Sequence, residues 1–193
     1  MNPAVAVDAV ALVDAFAAAR GLKTLPRAGW VQRGVRAPES VADHSFRVAL
    51  MTLLCAPACG ENLDRDRALR MALVHDLAEC VVGDITPRDG VSEEAKARME
   101  REAMEGLTRA LGRAGDDVRA LWEEYEGGVT AEARLVKDMD KLEMILQAQE
   151  YESEGDAGAS GRLEEFFEST RGRYRTALGA ALSEEIERRR PAA

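Results

Sequence analysis

At 193 residues the chain is long enough for one well-buried core, and its 46% hydrophobic content is that of an ordinary globular protein. A formal net charge of −9 excludes the basic surface that general nucleic-acid binding needs, although a metal ion and a few local arginines can reverse the sign of one pocket for a small phosphorylated substrate. No uncharged stretch approaches the roughly 20 residues of a membrane span, and no basic leader opens the chain, so a cytoplasmic protein with reduced Cys55, Cys59 and Cys80, bound to no membrane, is expected.

In chain order the pattern is helix after helix. Residues 5–20 repeat apolar side chains at helical spacing (Ala9, Leu12, Val13, Phe16), which predicts an amphipathic helix stopping at Gly21. Residues 21–39 differ: Pro26, Gly29, Gly34 and Pro38 with Arg27, Arg33, Arg36 and Trp30 make an ordered, positively charged loop. Ser40 reads as an N-cap, with Asp43 as an imperfect capping-box partner, for a helix to about Cys55. Asp64 caps the next helix, read as continuous to Gly83 and carrying His75. After a loop at 87–91, Ser92 with Glu93 and Glu94 opens a long charged helix to about Leu111. A shorter helix over 116–126 is closed by Gly127 and Gly128, and Thr130 caps a helix that carries Asp140 and reaches about Tyr151. A polar linker at 152–161 precedes one or two helices over 162–190, packed on the domain or on a partner subunit. The fold class is all-α: one domain over 1–193, with its core at about 5–152 and a C-terminal helical extension at about 162–190.

The chain has only two histidines, His44 and His75, so any histidine-based chemistry must use them. His75 and Glu79, four apart, share a helix face with Ala68, Met71, Ala72 and Val82, and Asp76 lies about 100° round from His75. His44 shares a stripe with Val41, Val48, Met51 and Cys55, and Asp140 aligns with Val136, Glu143 and Met144. The histidines alone could be packed imidazoles. Two inward-facing aspartates are harder to place without a common cationic partner, because an unpaired buried carboxylate is costly. Two imidazoles and two carboxylates suit Mn²⁺, Fe²⁺, Co²⁺, Ni²⁺ or Zn²⁺, with Mg²⁺ also admissible. Cys55 and Cys59 make a poor metal site, since Pro57 interrupts their helix and no second cysteine pair exists.

The order His44, then His75-Asp76, then a distant Asp140 resembles the HD-domain superfamily of metal-dependent phosphohydrolases. The wording around these residues is longer than that pattern. Leu25-Pro26-Arg27-Ala28-Gly29-Trp30, Pro38-Glu39-Ser40-Val41-Ala42-Asp43-His44, Leu73-Val74-His75-Asp76-Leu77-Ala78-Glu79, Val82-Gly83-Asp84-Ile85, Leu121-Trp122-Glu123-Glu124-Tyr125 and Lys137-Asp138-Met139-Asp140-Lys141-Leu142-Glu143 are together similar to the HD-domain 5′-deoxynucleotidases, over about 22–152.

The resemblance implies a phosphatase that removes the 5′-phosphate from deoxyribonucleoside 5′-monophosphates with a metal-activated water. It implies His44, His75, Asp76 and Asp140 as metal ligands, Glu79 and Asp84 as catalytic residues or, with the Ile85 backbone, as holders of a second ion, and Arg27 and Trp30 as substrate-binding residues selecting the 2′-deoxy sugar. Arg27 and Trp30 are not adjacent here, unlike their counterparts in bacterial members of the family. A homodimer is implied, with Trp122 and Tyr125 or the C-terminal helix as interface elements. The alternatives are an HD-type phosphodiesterase or nucleoside triphosphohydrolase, and, from another class, a non-catalytic nucleotide-binding regulator. Histidine-rich HD relatives, the di-iron oxygenases and extended phosphodiesterases, need ligands this chain does not have.

Overall fold

The computed structural model describes residues 8–60, 62–159 and 161–190. Ten α-helices and three short 3-10 turns are found among these residues, and no strand, so the all-α expectation holds; one isolated bridge pairs Pro26 with Ser40. The helices are α1 (Ala9–Thr24), α2 (Ala28–Gln32), α3 (Val41–Cys55), α4 (Arg65–Val74), α5 (Glu79–Val82), α6 (Glu93–Thr108), α7 (Arg113–Gly127), α8 (Ala131–Glu154), α9 (Glu164–Thr170) and α10 (Ala177–Arg189). None is long and apolar enough to cross a membrane.

The cap residues act where the sequence places them. Ser40 and Asp43 form a complete capping box, and the side chains of Asp64, Ser92 and Thr130 accept N–H bonds from the first turns of α4, α6 and α8. Two boundaries differ. The start expected at 5–7 lies outside the described residues, and α1 runs through Gly21 to Thr24. Gly21 is there for close approach: a Cβ would stand 2.9 Å from the Cys80 carbonyl oxygen of α5. The helix expected from 65 to Gly83 is broken into α4 and α5 by a turn at 75–78.

α8 is the central element, packed by α3, α4, α7, α9 and α10. It is buried nearly all round, with Ala133, Leu135, Val136, Met139, Leu142, Ile145 and Ala148 inaccessible, which is the pattern of a core helix and not a surface one. The main apolar cluster runs from Trp30 to Ile186 and includes Leu163 and Phe167. The core therefore extends past 152, and the C-terminal extension is packed on its own chain. A smaller cluster of Ala78, Ala103, Met104 and Trp122 sits beneath α6. Trp122 and Tyr125 belong to these interiors, which corrects their expected placement at a subunit interface.

Asp138 explains how the extension is anchored. Its fully buried carboxylate accepts from the Arg175 N–H (2.9 Å), the Thr176 N–H (2.8 Å) and the Thr176 hydroxyl (2.8 Å), which fixes the start of α10 on α8. Replacing Asp138 by alanine leaves these donors without their acceptor, and is expected to lower the unfolding free energy by about 2–3 kcal/mol. Urea denaturation checks the loss; an unchanged midpoint would show that solvent takes over the bonds.

Candidate metal centre and cavity

His44, on α3, is fully buried, and its Nδ1–H donates to Glu143 of α8. His75, at the end of α4, donates its Nδ1–H to the Ala72 carbonyl at 2.8 Å. Both imidazoles are thereby set in the tautomer that leaves Nε2 free of a proton when neutral. The two Nε2 atoms face one another at 3.4 Å. Asp76 Oδ2 lies 3.2 Å from His75 Nε2 and 3.5 Å from His44 Nε2, and Asp140 Oδ1 lies 3.3 Å from His44 Nε2. Ligand atoms of His44, His75 and Asp140 all lie within 4.8 Å of one another.

Several features fit a cation at this point. Separations of 3.2–3.5 Å are those of neighbouring donors that each sit about 2.1 Å from one ion. Asp76 Oδ2 is buried and makes no hydrogen bond. The second oxygen of Asp140 accepts from the Tyr125 hydroxyl at 2.7 Å, and the Tyr125 ring lies edge-on to His75. His44, His75 and Asp140 are thus each oriented by a partner behind them. Burial opposes charge on both imidazoles, but the carboxylates outweigh it: Asp140 and Glu143 hold His44 up to about 10, and Asp76 holds His75 above its ordinary range. Burial would raise the Asp76 and Asp140 carboxyls, yet the imidazoles and Arg27 hold both well below the usual range.

The cluster opens into a cavity of about 830 Å³, within the range of small-molecule sites. Its lining includes Arg27, Glu79, Asp84, Ile85, Lys96 and Lys141, so cations face acids despite the net negative charge. Arg27 stands 3.6 Å from Asp76 and 3.8 Å from Asp84. Asp84 also accepts from the Ala28 N–H at 2.7 Å, which ties the turn after α5 to the start of α2. Glu79 is buried, its Oε2 has no partner, and burial beside Asp76 and Asp84 pushes its carboxyl up to about 10. The Ile85 carbonyl accepts from Lys96 Nζ at 3.1 Å. Glu79, Asp84 and Ile85 thus border one space, but Arg27 and Lys96 already engage two of them.

Trp30 differs from its expected form. It borders the cavity but is 1% exposed, held by its indole N–H on Glu39 (2.9 Å) and packed between Tyr151 and Phe166. It cannot offer a broad face directly to a sugar.

A family model described as the HD domain matches residues 19–181. The chain belongs to the HD-domain family. It is 48% identical over 172 residues to the 5′-deoxynucleotidase HDDC2 of Bos taurus, covering 89% of this chain and 82% of the relative. It is 49% identical over 155 residues to the 5′-deoxynucleotidase HDDC2 of Xenopus laevis, covering 80% and 75%. Among solved structures, a conserved hypothetical protein from Pyrococcus furiosus has a TM-score of 0.76 at 36% identity, covering 92% of this chain and 98% of that one. A predicted metal-dependent phosphohydrolase from Magnetospirillum magnetotacticum has a TM-score of 0.72 at 29% identity, covering 93% and 95%.

In this HD-domain chain, spacing gave no role to the residues behind the cluster. Glu143 is fully buried and receives Arg47 Nε at 2.8 Å as well as His44. Its position three residues after Asp140, on the same face of α8, is the signal that could have found it. Glu39 completes a second cluster with His44 and Glu143. Burial and Glu143 push its carboxyl up to about 7, and its partner is the Trp30 indole.

The raised imidazoles carry a consequence for pH. A divalent ion must expel their protons, so affinity for Mn²⁺ is expected to rise as pH climbs toward about 10, by up to about tenfold per unit for each imidazole protonated in the metal-free protein, with proton release to buffer. Calorimetry in buffers of different ionisation enthalpy measures this; a pH-independent affinity would remove both histidines from the ligand set. For folding the sign is opposite. Protonated His44 stabilises the metal-free fold fully below its unfolded value of about 6.5, and this is lost as pH rises through about 10.

Proposed function

We propose that this chain is a divalent-metal-dependent phosphatase that releases phosphate from deoxyribonucleoside 5′-monophosphates. One observation carries the reading: two imidazole Nε2 atoms 3.4 Å apart, with Asp76 and Asp140 oxygens beside them, at the wall of a cavity that also holds Arg27 and Lys96. The names of the relatives supply the substrate class.

His44, His75, Asp76 and Asp140 would hold the ion. When bound, it supplies Lewis-acid charge for the phosphoryl oxygens and lowers the pKa of an attacking water. Arg27 is too far from Asp76 and Asp84 for a tight forked pair, so its guanidinium keeps N–H groups to give to phosphate. Lys96 adds a second positive charge at the cavity wall. Glu79, with an unpartnered buried oxygen, is placed to hold a proton for the leaving 5′-oxygen, and Asp84 positions Arg27 and the α2 backbone.

A panel of deoxyribonucleoside and ribonucleoside monophosphates with Co²⁺, Mn²⁺, Mg²⁺ and Zn²⁺, beside metal analysis of the purified protein, tests the reading. Inorganic phosphate from dAMP is the expected product. Pyrophosphate or triphosphate from deoxynucleoside triphosphates would replace the proposal with a triphosphohydrolase, and binding without turnover would replace it with a regulator.

We place the protein in the cytoplasm, since Cys55, Cys59 and Cys80 are free thiols. Self-association as a homodimer is supported by exposed apolar rows on two helices in contact, Val10, Val13 and Phe16 of α1 and Phe46, Leu50, Leu53 and Leu54 of α3. Sedimentation is expected to give a dimer that Phe46→Glu with Leu54→Glu converts to monomer; a monomeric wild type ends the proposal.

A further inference from the structure

We infer that Phe166, on the C-terminal extension, is the platform on which the nucleobase stacks. The inference rests on the nucleotide reading above. A nucleotide whose phosphate lies at the His/Asp cluster must lay its base along the rest of the same cavity, and Phe166 lines that cavity with His75, Asp76 and Asp140. Of the aromatic side chains on the lining, Trp30, Trp122 and Tyr125 are all buried. Phe166 is half-buried and retains surface to offer.

The ring is held in place from three sides. Its centroid lies 4.3 Å from that of Trp30, with planes inclined at 40°, so the covered indole is the backing of the half-buried phenyl. Gly29 makes room for it: a Cβ there would stand 3.1 Å from Phe166 Cε1. The neighbouring Glu165 pairs with Arg33, just after α2, and with Arg88 at 3.1 Å, which pins α9 across the cavity from the turn after α5. A fixed ring gives stacking surface with little ordering cost at binding. Trp30 then contributes to recognition indirectly, by positioning Phe166.

Phe166→Leu and Phe166→Ala test the assignment. Leucine keeps apolar bulk against Trp30, so its melting temperature should stay near that of the wild type. Both variants are expected to weaken competitive inhibition by the product deoxyadenosine, and to raise KM for dAMP, by about tenfold or more. Inhibition by inorganic phosphate and turnover of deoxyribose 5-phosphate, which has no base, should be unchanged. The assignment is overturned if Phe166→Leu binds deoxyadenosine as tightly as the wild type, or if inhibition by phosphate falls by the same factor. If the wild type releases no phosphate from any deoxynucleotide, the nucleotidase reading itself fails, and that outcome precedes any comparison of variants.

Discussion

Replacing His75 by alanine is expected to abolish phosphate release and to empty the metal site in the same step. His75 contributes one of the two convergent Nε2 atoms, and its Nδ1–H, committed to the Ala72 carbonyl, fixes the ring that presents it. The chain has no third histidine to recruit. A metal contributes several kcal/mol of charge stabilisation at phosphorus, so activity should fall by about a thousandfold or more. Metal analysis of the variant provides the independent measure, since a merely misfolded protein would also lose its thermal transition. Full activity of the wild type in saturating chelator, or of His75→Ala, would sink the metal proposal altogether.

The second large effect is expected at a residue with no place in the ligand set. Glu143→Ala removes the acceptor for the fully buried His44 Nδ1–H and for Nε of the half-buried Arg47 at the α3–α8 contact. Arg47 retains Gln147 (2.6 Å) and Glu150 (2.7 Å), but its charge loses a fully buried counter-ion. Breaking a buried ion pair from one side costs about 3–5 kcal/mol, and removing the partner behind a ligating histidine weakens metal affinity about 10- to 100-fold. Glu143→Gln keeps the volume and one acceptor oxygen, so it should fold better than alanine while still losing affinity. The two measurements are urea midpoint and Mn²⁺ titration. Loss of stability with unchanged metal affinity in Glu143→Gln would reduce Glu143 to a packing role.

The helix starts at Ser40, Asp64, Ser92 and Thr130 were legible because capping is local: a side chain meets an N–H two or three residues on, and the pairing needs nothing from the rest of the chain. The all-α class was legible for the same reason, since apolar spacing records which face each helix buries. The local signal misled where a residue serves a distant neighbour. Gly21 has the composition of a helix end but lies inside α1, because Cys80 of α5 comes too close for any side chain. The break between α4 and α5 at 75–78 carries no proline or glycine to announce it.

By itself the sequence narrowed the candidates for sharing one ion to His44, His75 and two aspartates, because histidine is scarce in this chain and their stripes face inward. Only the tertiary structure decided which atoms meet, because Nε2-to-Nε2 distance depends on how α3, α4 and α8 cross, and that crossing is set by packing across 30 to 100 residues of chain. The same holds for what stands behind them. Glu143, Tyr125 and Asp138 look like ordinary residues of charged or aromatic helices in the sequence, and acquire their roles from partners on other helices, where burial makes each hydrogen bond specific.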